Sequence, residues 1–178
     1  PGPTDEGGWD VWGGSWAFQA RDGGGTALAV VRGVGDRPLE LWASRSDDAT
    51  VPELRAVTHH QASLAAFTWG TQEAFTWTAP DGWRLDGVLV RPPGATRDRP
   101  LPTVVLVHGG PYGRWGPGFH LGWADWAQWL ATAGYAALMP NPRGGMGHGE
   151  AFAAAARGDV GGADYRDVMS AVDAAVER

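Results

Sequence analysis

Between Pro102 and Gly113 the chain reads PTVVLVHGGPYG. Val104 to Val107 are aliphatic without alternation, the pattern of a strand buried on both faces of a mostly parallel sheet. That strand runs straight into His108, Gly109, Gly110 and Pro111. The glycines let the backbone turn sharply and leave its N–H groups uncovered. Bare amides at the end of a buried strand are suited to one task in particular, holding the oxyanion that forms during acyl transfer. A second glycine-rich stretch, PNPRGGMGHG from Pro140 to Gly149, follows another apolar run. It should lie at the same carboxyl edge of the sheet, where ligands of open α/β sheets bind.

Other chemistries fit less well. The chain has no cysteine, which removes disulfides, thiolate metal sites and a cysteine nucleophile together. His108, His120 and His148 show no HExxH or comparable metal spacing, so no metal is expected. His59 and His60 are adjacent and in a strand would point to opposite faces. The run GGMGHG does not have the GxGxxG spacing of a dinucleotide loop, and no cofactor is expected. His108 is a poor catalytic base, because in the Ser, Asp, His order of this kind of sheet the base follows the nucleophile. No serine fits a GxSxG elbow: Ser15 lies in GGSWA, Ser170 lies mid-helix in DVMSAVD, and Ser44, Ser46 and Ser63 lack the glycines. None of the catalytic triad is therefore expected within these residues.

Composition sets wider bounds. With 178 residues, 43% hydrophobic and 19% charged, the chain can bury a core. The net charge of -6 and the lack of a basic cluster argue against nucleic acid as a partner. No apolar run approaches the ~20 residues of a membrane span, so no membrane partner is expected. The polar start, Pro1 to Gly8, lacks an apolar leader, and a cytoplasmic location is the default. It also lacks an initiator Met, so the chain is expected to begin inside a longer protein. Nothing fixes an oligomeric state. The eleven tryptophans, among them Trp9, Trp12, Trp16, Trp42, Trp69, Trp77 and Trp83, read first as aromatic packing and second as a stacking surface for a ligand.

The elements that must position these loops divide the chain near residue 72. Residues 1–72 read as short strands and turns: Ser15 to Ala20, the turn Arg21 to Gly25, Thr26 to Arg32, Leu39 to Ser44, and Leu54 to His59. Four short strands match one blade of a β-propeller in length, and a plain β-meander equally. Residues 73–178 change character. Ala74 to Thr78 and Leu85 to Arg91 are strands around the turn Ala79 to Gly82, and the buried strand follows. Gly122 to Ala133 is a helix with Trp123, Trp126, Ala127 and Leu130 as its apolar stripe. Tyr135 to Met139 is a second buried strand, Glu150 to Arg157 a short helix, and Ala163 to Val176 a longer one. The longer helix carries the stripe Tyr165, Val168, Val172 and Ala175, while Asp159, Asp164 and Asp167 read as charges favoured by its N-terminal dipole. This order predicts a parallel sheet with right-handed crossovers.

HGGPYG after a buried strand, LATAGYAALMPNPRGGMGHGEAF and GDVGGADYRDVMSAVDAAV together resemble the prolyl oligopeptidase family of serine peptidases, closest to its acylaminoacyl-peptidase and dipeptidyl-aminopeptidase-like branch. The similarity covers about Phe75 to Arg178, and FTWTAPDGWRLDGVLVRPPG matches the passage from propeller to hydrolase domain. The resemblance implies the N-terminal part of an α/β-hydrolase domain, a mostly parallel sheet with flanking helices, preceded by the last blade of a propeller. It implies an oxyanion-hole donor at Gly110, with His108, Gly109 and Pro111 shaping the loop and Tyr112 lining the substrate site. Asn141, Arg143 and Gly144 would brace the second loop. The implied substrate is a short peptide cleaved without a cofactor, and the nucleophile is expected beyond Arg178. An esterase on the same fold, or a truncated non-catalytic binding piece, are the alternatives.

Overall fold

The computed structural model describes residues 16–20, 25–47 and 53–178. The first sheet is a four-stranded antiparallel meander of β1 (Trp16–Ala20), β2 (Thr26–Val34), β3 (Arg37–Ser46) and β4 (Arg55–Ala56), in that order. Gly35 and Asp36 turn β2 into β3, and Glu40 on β3 accepts from the Gln61 amide at 2.7 Å, closing the meander onto a 3₁₀ turn at Ala62–Ala66. Such a meander is common to a propeller blade and to a plain antiparallel sheet. Trp9, Trp12 and most of the Arg21 to Gly25 turn lie outside the described residues.

The second sheet has the order β5 (Thr71–Thr78), β6 (Arg84–Arg91), β8 (Ala136–Asn141), β7 (Thr103–Val105). It is mixed rather than mostly parallel. β5 and β6 are antiparallel because a tight turn joins them, with Ala79 N donating to Trp83 O at 2.8 Å. β6 and β8 are also antiparallel, and only β7 and β8, linked by a helical crossover, run parallel. β7 is shorter than its apolar run: pairing continues one residue through Leu106 N to Leu138 O at 2.8 Å, and Val107 is already exposed. β7 is an edge of this sheet.

Both faces of the sheet are covered. Leu85 and Leu89 of β6 and Leu138 of β8 join Phe75, Trp77, Phe152 and Ala171 on one side. Val88, Val90, Ala137 and Met139 meet Ala127 and Ala131 on the other. Successive strand residues therefore enter different cores, which is why β6 and β8 read as continuous apolar runs. Helix α1 spans only Ala127–Thr132, and its buried face is Ala127, Gln128 and Ala131. Of the predicted stripe, Ala127 is buried and Leu130 packs on the core, while Trp123 is 96% exposed and Trp126 is also exposed. Gly122 and Asp125 form an isolated bridge ahead of the helix.

Helix α2 covers Glu150–Ala154, and α3 covers Ala163–Val176 as predicted. Of the predicted α3 stripe, Val172 and Ala175 pack against the core. Ala163, Asp167, Ser170 and Ala171 are buried while Tyr165 is exposed. Ser170 accepts from the Trp77 indole at 2.9 Å, and Trp83 packs on Phe152. These contacts make both tryptophans packing residues.

Gly87 lies opposite Pro140, and a Cβ there would stand 2.5 Å from the Met139 carbonyl oxygen. Gly87→Ala must push β6 from β8. It is expected to destabilise the fold by ~1–3 kcal/mol, read as a lower denaturant midpoint at unchanged slope; an unchanged midpoint would refute the close approach.

Candidate active site

The His108 loop leaves β7 in an open bend. Gly110 has φ +146, and an added Cβ would lie 2.6 Å from the amide nitrogens of both Tyr112 and Gly113. Only glycine fits. Gly110 is exposed, and among the described residues no group accepts from its N–H. The Gly110–Pro111 peptide is cis. Gly113 N closes the turn on Pro111 O at 2.8 Å. Tyr112 is 60% exposed. His108, Pro111 and Tyr112 line a cleft of about 860 Å³ with Pro142, Arg143 and Tyr165. Gly109 and Gly110 fall between two of these lining residues.

His108 is half-buried. Its Nδ1 sits 3.1 Å from Gly109 O, its ring meets the Trp115 ring edge-on at 5.9 Å, and its buried Nε2 has no hydrogen-bond partner. Burial pulls its pKa below the ordinary value, the Gly109 carbonyl opposes this, and the Arg114 charge adds to it.

The second loop is held by side chains. Arg143 is 8% exposed, lies against the Trp83 ring and is shared by two carboxylates. Its Nε and Nη2 donate to Asp167 at 2.8 and 2.7 Å, and its backbone N donates to the same carboxylate at 2.9 Å. Its Nη1 and Nη2 donate to Asp81 at 2.6 and 2.9 Å. These bonds, those to Asp167 first, raise the Arg143 pKa, and the one to Arg143 is the chief cause lowering that of Asp81. Gly144 donates to Phe152 O at 2.9 Å with φ +92. Asn141, fully buried, accepts from Trp115 N at 2.7 Å and donates to Trp115 O at 2.9 Å.

The structure thus brings His108, Pro111, Tyr112 and Arg143 to one cleft and places Asn141 and Gly144 behind it. It corrects the reading of Asp167, which is a fully buried partner of Arg143 and not a helix-dipole charge. Asp159 does meet the helix start, accepting from Ala163 N at 2.9 Å. Sequence reasoning missed Asp81, Asp86, Arg114 and His148. One signal was present: Asp167 falls at helical spacing with Ala163, Ser170 and Ala171, and a charge on a small-residue stripe calls for a buried partner.

A mixed sheet covered on both faces, with a bare-amide loop at the end of a strand in its parallel pair, defines an α/β-hydrolase type of domain. Residues 123–178 match the family model described as Prolyl oligopeptidase family. The chain is 35% identical over 147 residues to the uncharacterized peptidase YuxL of Bacillus subtilis (strain 168), covering 80% of this chain and 21% of that protein. It is 42% identical over 81 residues to dipeptidyl aminopeptidase BIII of Pseudoxanthomonas mexicana, covering 46% of this chain and 11% of that protein. The chain thus spans about a fifth or less of the length of these relatives. The solved acylaminoacyl peptidase of Pyrococcus horikoshii shares the fold over 90% of this chain and 24% of its own, with TM-score 0.69 at 24% identity. No helix among the described residues is long and apolar enough to cross a membrane.

Asp167→Asn removes one carboxylate from a buried cation. It is expected to cost about 3–5 kcal/mol, measured by denaturant unfolding, whereas a cost under 1 kcal/mol would place the pair outside the core's energetics. The His108 linkage has a definite sign. Its folded value lies below the unfolded one, so the neutral ring contributes stability above about pH 6.5 that is lost as pH falls through the folded value. An NMR titration of His108 should give a midpoint below about 6.5, and His108→Gln should flatten that limb of the stability profile; a midpoint above about 6.5 contradicts the burial argument.

Proposed function

We propose that this chain is part of a serine-type peptidase that hydrolyses short peptides by acyl transfer, with the Gly110 N–H as one donor of the oxyanion hole. The observation that carries this reading is the uncommitted Gly110 amide on a loop that admits only glycine there, beside the cleft lined by His108 and Tyr112. The match of residues 123–178 to the prolyl oligopeptidase family model supports the reaction class. Relatives named as peptidase and dipeptidyl aminopeptidase support peptide as the substrate.

In the proposed reaction a serine hydroxyl attacks the scissile carbonyl carbon while a histidine takes its proton. The carbonyl oxygen becomes an oxyanion and accepts from Gly110 N–H. Collapse expels the amine, which takes the proton back from the histidine, and water then hydrolyses the acyl-enzyme. The nucleophile, base and acid of this scheme are assigned to sequence following Arg178, and β1–β4 to the end of a propeller. Reading the coding sequence past Arg178 tests the first assignment: a GxSxGG elbow supports it, and a stop codon there sinks it.

The Gly110 role has its own test in the full-length protein. Gly110→Ala is expected to slow acylation by a fluorophosphonate probe and turnover of a peptide anilide by about 10²–10³-fold. Wild-type rates in that variant would remove Gly110 from the mechanism.

A further inference from the structure

We infer that Asp86 is a positioning residue for the reaction, a single carboxylate that ties the His108 loop to the Pro140–Gly149 loop and so fixes where the Gly110 amide lies. This rests on the function proposed above.

Asp86 sits on β6 directly opposite Asn141 on β8. Its side chain is 15% exposed, takes donors from Arg114 and Asn141, and lies against His148. Oδ1 accepts from Arg114 Nη1 at 3.2 Å and from Asn141 Nδ2 at 3.2 Å, and lies 3.1 Å from His148 Nε2. Oδ2 accepts from Arg114 Nη2. The Arg114 guanidinium is 7% exposed, so Asp86 is its compensating charge.

From this carboxylate the contacts reach both ends of the loop. Arg114 and Trp115 form its return, and Asn141 holds Trp115 by both backbone groups. The Trp115 indole then donates to Leu106 O at 2.9 Å, on the outgoing side, and its ring meets His108. Gly110 lies between these two anchored ends. The second loop is drawn in by His148, whose Nε2 is also 3.0 Å from Arg114 Nη1 and whose ring lies on Phe152 at 4.7 Å. Met146 N donates to Gly113 O at 3.2 Å, joining the two loops directly. Asp86 does not line the cleft, so its removal should act on the amide's placement and hence on the acylation rate.

The experiment uses the full-length protein with Asp86→Asn and with the double variant Asp86→Asn/Arg114→Met. The single variant leaves a buried cation without its charge partner and is expected to lower Tm. The double variant removes both charges, so stability should recover. Acylation should stay slowed by about tenfold to a hundredfold in the double variant, with KM within about twofold of wild type. Amide exchange at Gly113, Trp115 and Met146, whose N–H groups donate to Pro111 O, Asn141 Oδ1 and Gly113 O, should be faster in it, while exchange in the β5–β6 hairpin is unchanged. A double variant that acylates at the wild-type rate, or one whose exchange at Gly113, Trp115 and Met146 is unaltered, overturns the inference. Exchange is read without activity. A wild-type protein that fails to react with a fluorophosphonate would count against the peptidase reading alone, and exchange would still decide for or against Asp86.

Discussion

A guanidinium buried between two carboxylates holds the carboxyl edge of the second sheet. Arg143 joins the loop after β8 to α3 through Asp167 and to the β5–β6 turn through Asp81. Such a group gives little stability beyond what an apolar replacement would give, yet leaving it half-paired is costly. Its effect is therefore chiefly on geometry. The planar fork fits both carboxylates in one arrangement, and the backbone N of Arg143 shares the Asp167 oxygen. The loop is set by bonds from two directions before any substrate is considered.

The sheet beneath imposes a second constraint. β6 and β8 feed two cores at once, so both covering helices must approach closely. Alanines at 127, 131, 163 and 171 permit this, and Trp129, Tyr165 and Met169 are turned out while Leu130 and Val172 pack on the cores. Within the sheet, the approach of β6 to β8 requires glycine at 87. Size thus outranks hydrophobicity in deciding which face of α1 is buried, a reversal of the usual expectation for an amphipathic helix.

This explains what was legible in the sequence. The extent of α3 and the run of β8 follow from local patterning, and the glycine at 110 is a local steric requirement. The facing of α1 was misread because periodicity ranks tryptophan above alanine without knowing the space available. The mixed sheet was misread because βαβ order fixes only the β7–β8 pair, while the hairpin and its partner set the rest. The ion pairs were not legible at all. Arg143 finds Asp167 24 residues away and Asp81 62 away, and Arg114 finds Asp86 across 28. No local pattern encodes such partners, although a charge amid a stripe of small residues hints that one exists.

The two clusters share a plan. Asp81 and Asp86 come from the β5–β6 turn and the start of β6, Arg143 and Arg114 from the two loops at the other strands' carboxyl ends. One hairpin supplies both anchors. In a site whose proposed donor is a backbone amide, no side chain at that position can be tuned, because the residue must be glycine. Control over the amide then passes to whatever fixes the backbone on either side of it. Charged pairs suit that task better than apolar contacts, since their direction and distance are set by hydrogen bonds while dispersion contacts tolerate sliding. On that proposal the placement of the Gly110 amide is set by residues that do not touch Gly110, and the β5–β6 hairpin supplies the carboxylates that hold loops it does not contain.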